Sequence, residues 1–325
     1  MTIAITRRRI IELTGAASIT VATAAALRAE GAPPAGTAPV VVAHATPLRI
    51  GAVSLVVRDL DRVAAFYRDV IGLAVLERRA DGASLGVEGT PLLHLVHRPA
   101  APFEAQGSAG LYHTAFLMPT RKDLARWLVH VAANRVRLTG FADHHVSEAV
   151  YLDDPEGNGI EVYADRPPER WRWDGAAVTM TTEHLDIDDL VSLTNIRVPD
   201  YPAAPSGLRI GHVHLKVGDT DRAAAFYGGL VGLDMTRQRP GAAFMSAGRY
   251  HHHLGLNVWQ SRGAGPRDRA ATGLGWFSLE AASADLLEAR RDKLTTGGAS
   301  IISVPGGIET SDPWGTSVRI VPRPA

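Results

Sequence analysis

The chain reads as an α+β protein assembled from four βαβββ modules, and three observations lead there. Residues 50–73, IGAVSLVVRDLDRVAAFYRDVIGL, and residues 210–233, IGHVHLKVGDTDRAAAFYGGLVGL, agree at 14 of 24 positions at a constant offset of 160, which marks an internal repeat. Each copy passes from an apolar run into helically spaced Ala, Phe and Tyr and then into short apolar stretches. A second kind of unit follows each first kind. GLYHTAF at 110–116 matches GLGWFSL at 273–279, and each is followed by a helical segment and then by a turn and strand, DDPEGNGIEVY at 153–163 and SDPWGTSVRIV at 311–321. The four modules therefore occupy about 48–100, 110–166, 208–262 and 273–323.

Taken in order, residues 1–29 read as an address. Thr6-Arg7-Arg8-Arg9-Ile10-Ile11-Glu12 resembles the twin-arginine export pattern, and a small-residue apolar run follows from Leu13 to Leu27. That run is too short to span a bilayer comfortably, so no transmembrane span is expected in the mature protein. Cleavage falls at Ala29 or Ala26, and the protein is exported; a leader of no consequence would leave it cytoplasmic. Residues 30–47, rich in Ala, Pro and Gly, suit a flexible tether.

The first module pair in sequence covers 48–166 and the second 208–325, joined by a connector, 167–207, that contains several Pro and Trp residues. Ile50 to Val57 and Ile210 to Val217 fit strands. Asp59 and Asp219 stand where an N-cap is wanted for helices over Arg62 to Ile71 and Arg222 to Val231, and Gly72 and Gly232 are placed to end them. Further helices are predicted at Lys122 to Ala133 and Ala284 to Leu294, and further strands at Leu92 to Val96 and Leu254 to Trp259.

Composition narrows the partners. Net charge is zero and only Lys122, Lys216 and Lys293 are lysines, so no basic patch points to nucleic acid, and a small molecule is the better partner. The chain has no cysteine, which excludes disulfides, thiolate metal sites and a cysteine nucleophile. A metal would have to sit on His, Asp or Glu. A homo-oligomer is compatible with all of this.

The run GLYHTAF, DHHVSEAVYLDDPEGNGIEVYADRP, IGHVHL, YHHHLGLNVW resembles the vicinal oxygen chelate superfamily, the group of glyoxalases, bleomycin-resistance proteins and extradiol dioxygenases. Within it the chain is most similar to four-module catechol 2,3-dioxygenases of the Bacillus type, and the resemblance covers nearly everything after residue 48. It implies that paired modules form cupped-sheet barrels holding a metal on first and last strands. Carried onto this sequence, the ligands would be His212, His113 and Glu161. Two imidazoles and one carboxylate suit Fe(II), leaving positions open for substrate and O2; Mn(II) also fits.

A strand histidine is by itself more often an ordinary hydrogen-bonded residue than a ligand. His214, which shares a face with His212, stays under that plainer reading. Tyr151, ten residues before Glu161, matches an active-site tyrosine of the family or is a half-buried strand aromatic. One of His144 and His145, with His144 favoured, corresponds to the histidine upstream of it. In Tyr250-His251-His252-His253 the spacing favours His252, with strand alternation sending His251 and His253 to the opposite face; the alternative is a surface histidine cluster.

The resemblance implies extradiol cleavage of a catechol by O2. In that reaction His252 would protonate or stabilise the oxygen adduct, and Tyr151 and His144 would steer the substrate proton. Three rivals are weighed against it: a glyoxalase-type isomerase, although Phe244 to Gln260 lacks the second carboxylate it would use; a thiol transferase; and a non-catalytic drug-binding protein. Sequential pairing of modules cannot complete the triad, because Ala52, Trp276 and Arg319 stand at the positions equivalent to His212, His113 and Glu161. Module two must therefore face module three, and module one module four.

Overall fold

The structure, a computed structural model, describes residues 42–324. The expected export signal and the tether up to residue 41 lie outside the described residues. Module one runs from β1 (Leu48–Val57) through α1 (Leu60–Phe66) to β2 (Ala74–Arg79), β3 (Gly82–Val87) and β4 (Thr90–His97). Module two comprises β5 (Gly110–Leu117), α2 (Arg121–Ala133), β6 (Gly140–Asp143), β7 (Ser147–Asp153) and β8 (Gly159–Asp165). The connector carries a short hairpin, β9 (Trp173–Asp174) and β10 (Ala177–Val178), and α3 (Ile187–Ser192). Module three comprises β11 (Arg209–Lys216), α4 (Thr220–Phe226), β12 (Asp234–Arg239), β13 (Ala242–Ser246) and β14 (Leu254–Asn257). Module four ends the chain with β15 (Gly273–Ala281), α5 (Ala284–Thr296), β16 (Ile302–Val304), β17 (Gly307–Ser311) and β18 (Ser317–Pro322).

The helix boundaries follow from local chemistry. Asp59 and Asp219 accept the backbone N–H of Arg62 and Arg222 at 3.0 and 2.8 Å, satisfying donors that the first turn leaves free. Thr120 and Ser283 cap α2 and α5 in the same way. Both α1 and α4 finish in a π-helical turn, closed by Gly72 and Gly232 at φ +86° and +88°.

Two eight-stranded sheets result. Sheet one has the order β16-β17-β18-β15-β1-β4-β3-β2 and sheet two the order β12-β13-β14-β11-β5-β8-β7-β6. Antiparallel pairing of β1 with β15 joins module one to module four, and that of β11 with β5 joins module three to module two. The expected module pairing holds. One apolar cluster unites Val53, Leu55, Val213 and Leu215 with helix residues such as Tyr67, Trp127 and Tyr227. Trp127 ties α2 to the end of α1 by donating its Nε1–H to the Val70 carbonyl at 2.8 Å.

A smaller apolar cluster lies on the other face of sheet two, where Trp171, Val178 and Met180 of the connector cover Ala115, Tyr163, Phe244 and Tyr250. The stretch whose composition suggests a tether is part of the fold from Val42 onward. Val42–His44 form a 3-10 turn, and Ala43 and Thr46 are buried. Small-residue composition signals chain freedom only where nothing apolar receives those residues, and here the second cluster takes up Ala43.

Candidate metal centre

The turn before β8 is built by one carboxylate. Asp154 Oδ1 accepts the backbone N–H of Glu156 at 2.8 Å and of Asn158 at 2.9 Å, while Asn158 Nδ2 donates to Oδ2 at 2.8 Å. Alternation along β8 then sends Ile160 and Val162 into the main core and leaves Glu161 and Tyr163 on the opposite face. On β11 the register shifts between Ile210 and His212. A β-carbon at Gly211 would lie 1.8 Å from Tyr163 Oη, so only glycine lets β11 pass there. Ala115 of β5 is the register partner of both His212 and Glu161, and this small residue lets the two side chains meet over it.

His113, from β5, completes the group. Its Nε2 is 3.1 Å from Glu161 Oε2 and 3.3 Å from His212 Nε2, and His212 Nε2 is 3.3 Å from the same oxygen. All three residues are buried, at 5, 2 and 1 % exposure for His113, Glu161 and His212. Burial pushes the His212 imidazole down to about 4 against the pull of Glu161, so the ring is neutral at ordinary pH. Burial opposes ionisation of Glu161, but His212 and His113 outweigh it and hold the carboxyl well below the usual carboxylate range. Two imidazole nitrogens thus converge on one carboxylate oxygen, each within hydrogen-bond reach of it. Ligands about 2.1 Å from one ion and roughly at right angles lie about 3.0 Å apart, so this triangle fits a divalent metal.

Around the triad, His144 Nδ1 donates to the Thr181 carbonyl at 2.6 Å, which leaves Nε2 to accept from Tyr151 O–H at 2.7 Å. Burial and the neighbouring Glu161 push the Tyr151 phenol well above its ordinary range. His145 instead turns to the surface, 3.1 Å from Glu183 of the connector. The His252 ring lies 4.1 Å from that of His212, centroid to centroid. His214 meets His113 edge-on at 4.9 Å and accepts from Asn257 Nδ2 at 3.0 Å. These groups face a cavity of about 670 Å³ whose other walls include Tyr112, Phe141, Met180, Phe244 and Trp259.

The chain matches the model of the Glyoxalase/Bleomycin resistance protein/Dioxygenase superfamily twice, over residues 49–162 and 209–318. The chain belongs to this superfamily. It is 38% identical over 269 residues, 81% of this chain and 93% of the relative, to catechol-2,3-dioxygenase of Bacillus subtilis. Among solved structures it resembles a putative dioxygenase from Bacillus subtilis, with TM-score 0.61, 17% identity and 85% of each chain covered. It also resembles glyoxalase I from Zea mays, with TM-score 0.53, 16% identity, and 86% of this chain and 94% of the other covered. At such identities the two structures speak for the superfamily fold alone.

One expectation needs correction. Alternation predicted that His251 would face away from His252, but β14 begins only at Leu254, and His251 Nδ1 lies 2.8 Å from His252 Nδ1. Of the three only His252 lines the cavity: His251 Nε2 points to Asp165, and His253 turns toward Ser246 and Thr46. Sequence reasoning also missed the connector's part in the cavity, where Met180 and Thr182 form wall and Thr181 supplies a carbonyl. No periodicity marks that segment, so the sequence held no signal for it.

Proposed function

We propose that the protein is an extradiol dioxygenase that opens the ring of catechol or a substituted catechol with O2, using Fe(II) held by His113, Glu161 and His212. The observation that carries this is the 3.1–3.3 Å triangle of two imidazole nitrogens and one carboxylate oxygen at a cavity with aromatic walls. Bound there, Fe(II) would supply Lewis acidity, redox electrons and positions for both reactants at once; Mn(II) fits the same donors.

The chain's own residues supply orientation and proton handling. Tyr112, Phe141 and Phe244 give the ring an apolar slot that excludes water. Tyr151, with its own proton directed at His144, turns its oxygen lone pairs to the cavity and can receive a substrate hydroxyl proton while passing its own to His144 Nε2. The Thr181 carbonyl keeps His144 in the tautomer that can accept it. His252, beside His212 on the other side, can take a proton from the diol and return it to the oxygen that the ring acquires. Both atoms of O2 end in the product, a hydroxymuconic semialdehyde, and the proton held by His144 returns to it through Tyr151, so that none is gained or lost.

Among the described residues lining the cavity the carboxylates are Glu161 and the exposed Asp153, which leaves an isomerase without the second buried carboxylate it would use. Anaerobic purification with Fe(II), then addition of catechol and air, should give a yellow product. Absence of ring cleavage with either Fe(II) or Mn(II) would sink the assignment. Export by the twin-arginine route belongs to the same proposal, on the strength of Thr6 to Glu12. Changing Arg7 and Arg8 to Lys should retain the protein in the cytoplasm on fractionation, and normal export of that variant would refute the route.

A further inference from the structure

Behind His252 runs a line of buried hydrogen bonds that the reaction as described does not use. Asp165 Oδ1, at the end of β8, lies 2.8 Å from His251 Nε2 and accepts from Tyr250 O–H at 3.2 Å. Tyr250 Oη is in turn 2.7 Å from Tyr163 Oη. His251, Tyr250 and Tyr163 are all 0 % exposed, and no arginine or lysine pairs with Asp165 among the described residues. Its other oxygen, Oδ2, is buried without a partner. The contacts of the carboxylate therefore fall on one oxygen, from His251 and Tyr250.

Directionality follows from that anchor. An ionised carboxylate only accepts, so His251 Nε2 must carry a hydrogen. The 2.8 Å contact between Nδ1 atoms holds one hydrogen, and where His251 carries only its Nε2–H that hydrogen sits on His252. With Nδ1 so committed, the nitrogen His252 has left for the cavity is Nε2, and it is bare.

We propose that His251 stays neutral against Asp165, and that the two are positioning residues that hold His252 in its Nδ1–H tautomer and so present Nε2 to the diol as a proton acceptor. The catalytic consequence rests on the ring-cleavage reading; the tautomer does not. Neutral imidazoles interconvert their tautomers freely in water, and a buried hydrogen-bond partner selects one. Removing the selector should leave His252 in place and present the wrong form to the substrate for part of the time.

The experiment uses full-length protein labelled with ¹⁵N-histidine and loaded with Zn(II), a diamagnetic occupant, with His252→Gln to assign the signal. The ring of His252 should show Nδ1 protonated and Nε2 bare. His251→Phe and the isosteric Asp165→Asn should each mix the two forms. In Fe(II) enzyme both variants should keep stoichiometric metal and a KM for catechol within about twofold, and lose about tenfold or more in kcat. An Nε2–H form in the unaltered protein, or an unchanged His252 signal and kcat in both variants, would overturn the proposal. If no catechol is cleaved at all, the ring-cleavage reading fails, while the nitrogen spectrum still decides the tautomer.

Discussion

The two sheets share one topology and differ in what four side chains do at matching register. In sheet two, Ala115 pairs with Glu161 and Tyr151 pairs with Glu161 from the other side; in sheet one, Ser278 pairs with Arg319 and Glu309 pairs with Arg319. His113 corresponds to Trp276 and His212 to Ala52. In sheet one Arg319 Nε bonds Glu309 Oε2 at 2.7 Å and stacks 4.0 Å over the Trp276 ring. That arrangement satisfies its own charges. Sheet two instead gathers two imidazoles on one carboxylate oxygen beside an open cavity. Sheet one shows that the same topology closes around other side chains at these positions, so the site is a local modification of a shared scaffold.

That contrast can be broken most severely at the triad. Glu161→Gln should abolish stoichiometric metal and lower ring cleavage by about a thousandfold or more, whereas Glu309→Gln should change neither, as metal analysis and turnover will show. His252→Ala should retain metal and lose roughly a hundredfold in turnover. Full activity in that variant would move the role elsewhere.

Acid should also separate the sheets. His212 is lowered from 6.5 to about 4 by burial, and His253 to about 3, so both are neutral in the fold but charged when unfolded. The unfolded chain binds more protons between those limits, so stability is full above about pH 6.5 and falls as pH drops toward 4. Hydrogen exchange of metal-free protein should show residues 209–257, which carry His212 and His253, opening before residues 273–322 of sheet one, which carry no histidine, over that range. Equal loss in both would count against the contrast. The mildest change is Arg319→Ala, which leaves Glu309 its more distant partner Arg269 at 4.0 Å. It should cost about 1–3 kcal/mol in stability by thermal unfolding and leave activity untouched.

Much of this was legible in the sequence because repeats expose substitutions. The constant offset aligned Ala52 with His212, and the mismatch itself demanded that module two meet module three. Helix caps at Asp59 and Asp219 were readable because capping is local. His251 was misjudged for the opposite reason, since period-two alternation holds only inside a strand and Tyr250 to His253 precede β14. Thr181 was invisible because its contribution to the cavity is a backbone carbonyl, which every residue carries.

The crossed pairing of modules sets an order of assembly. The strands of sheet two are complete at Asn257, so the hydrogen-bonded half that bears the histidines can pair before the last module exists, although its helix residue Tyr227 gains Asp312 and Phe277 only later. Sheet one must wait, because Leu48 of β1 finds its partner only at Ala281 of β15. At ribosomal speed that is a delay on the order of ten to fifty seconds, during which one edge of β1 stands open to pairing with other chains. A late stop codon would therefore leave the chemistry of sheet two assembled on a protein whose first strand has no neighbour on that edge.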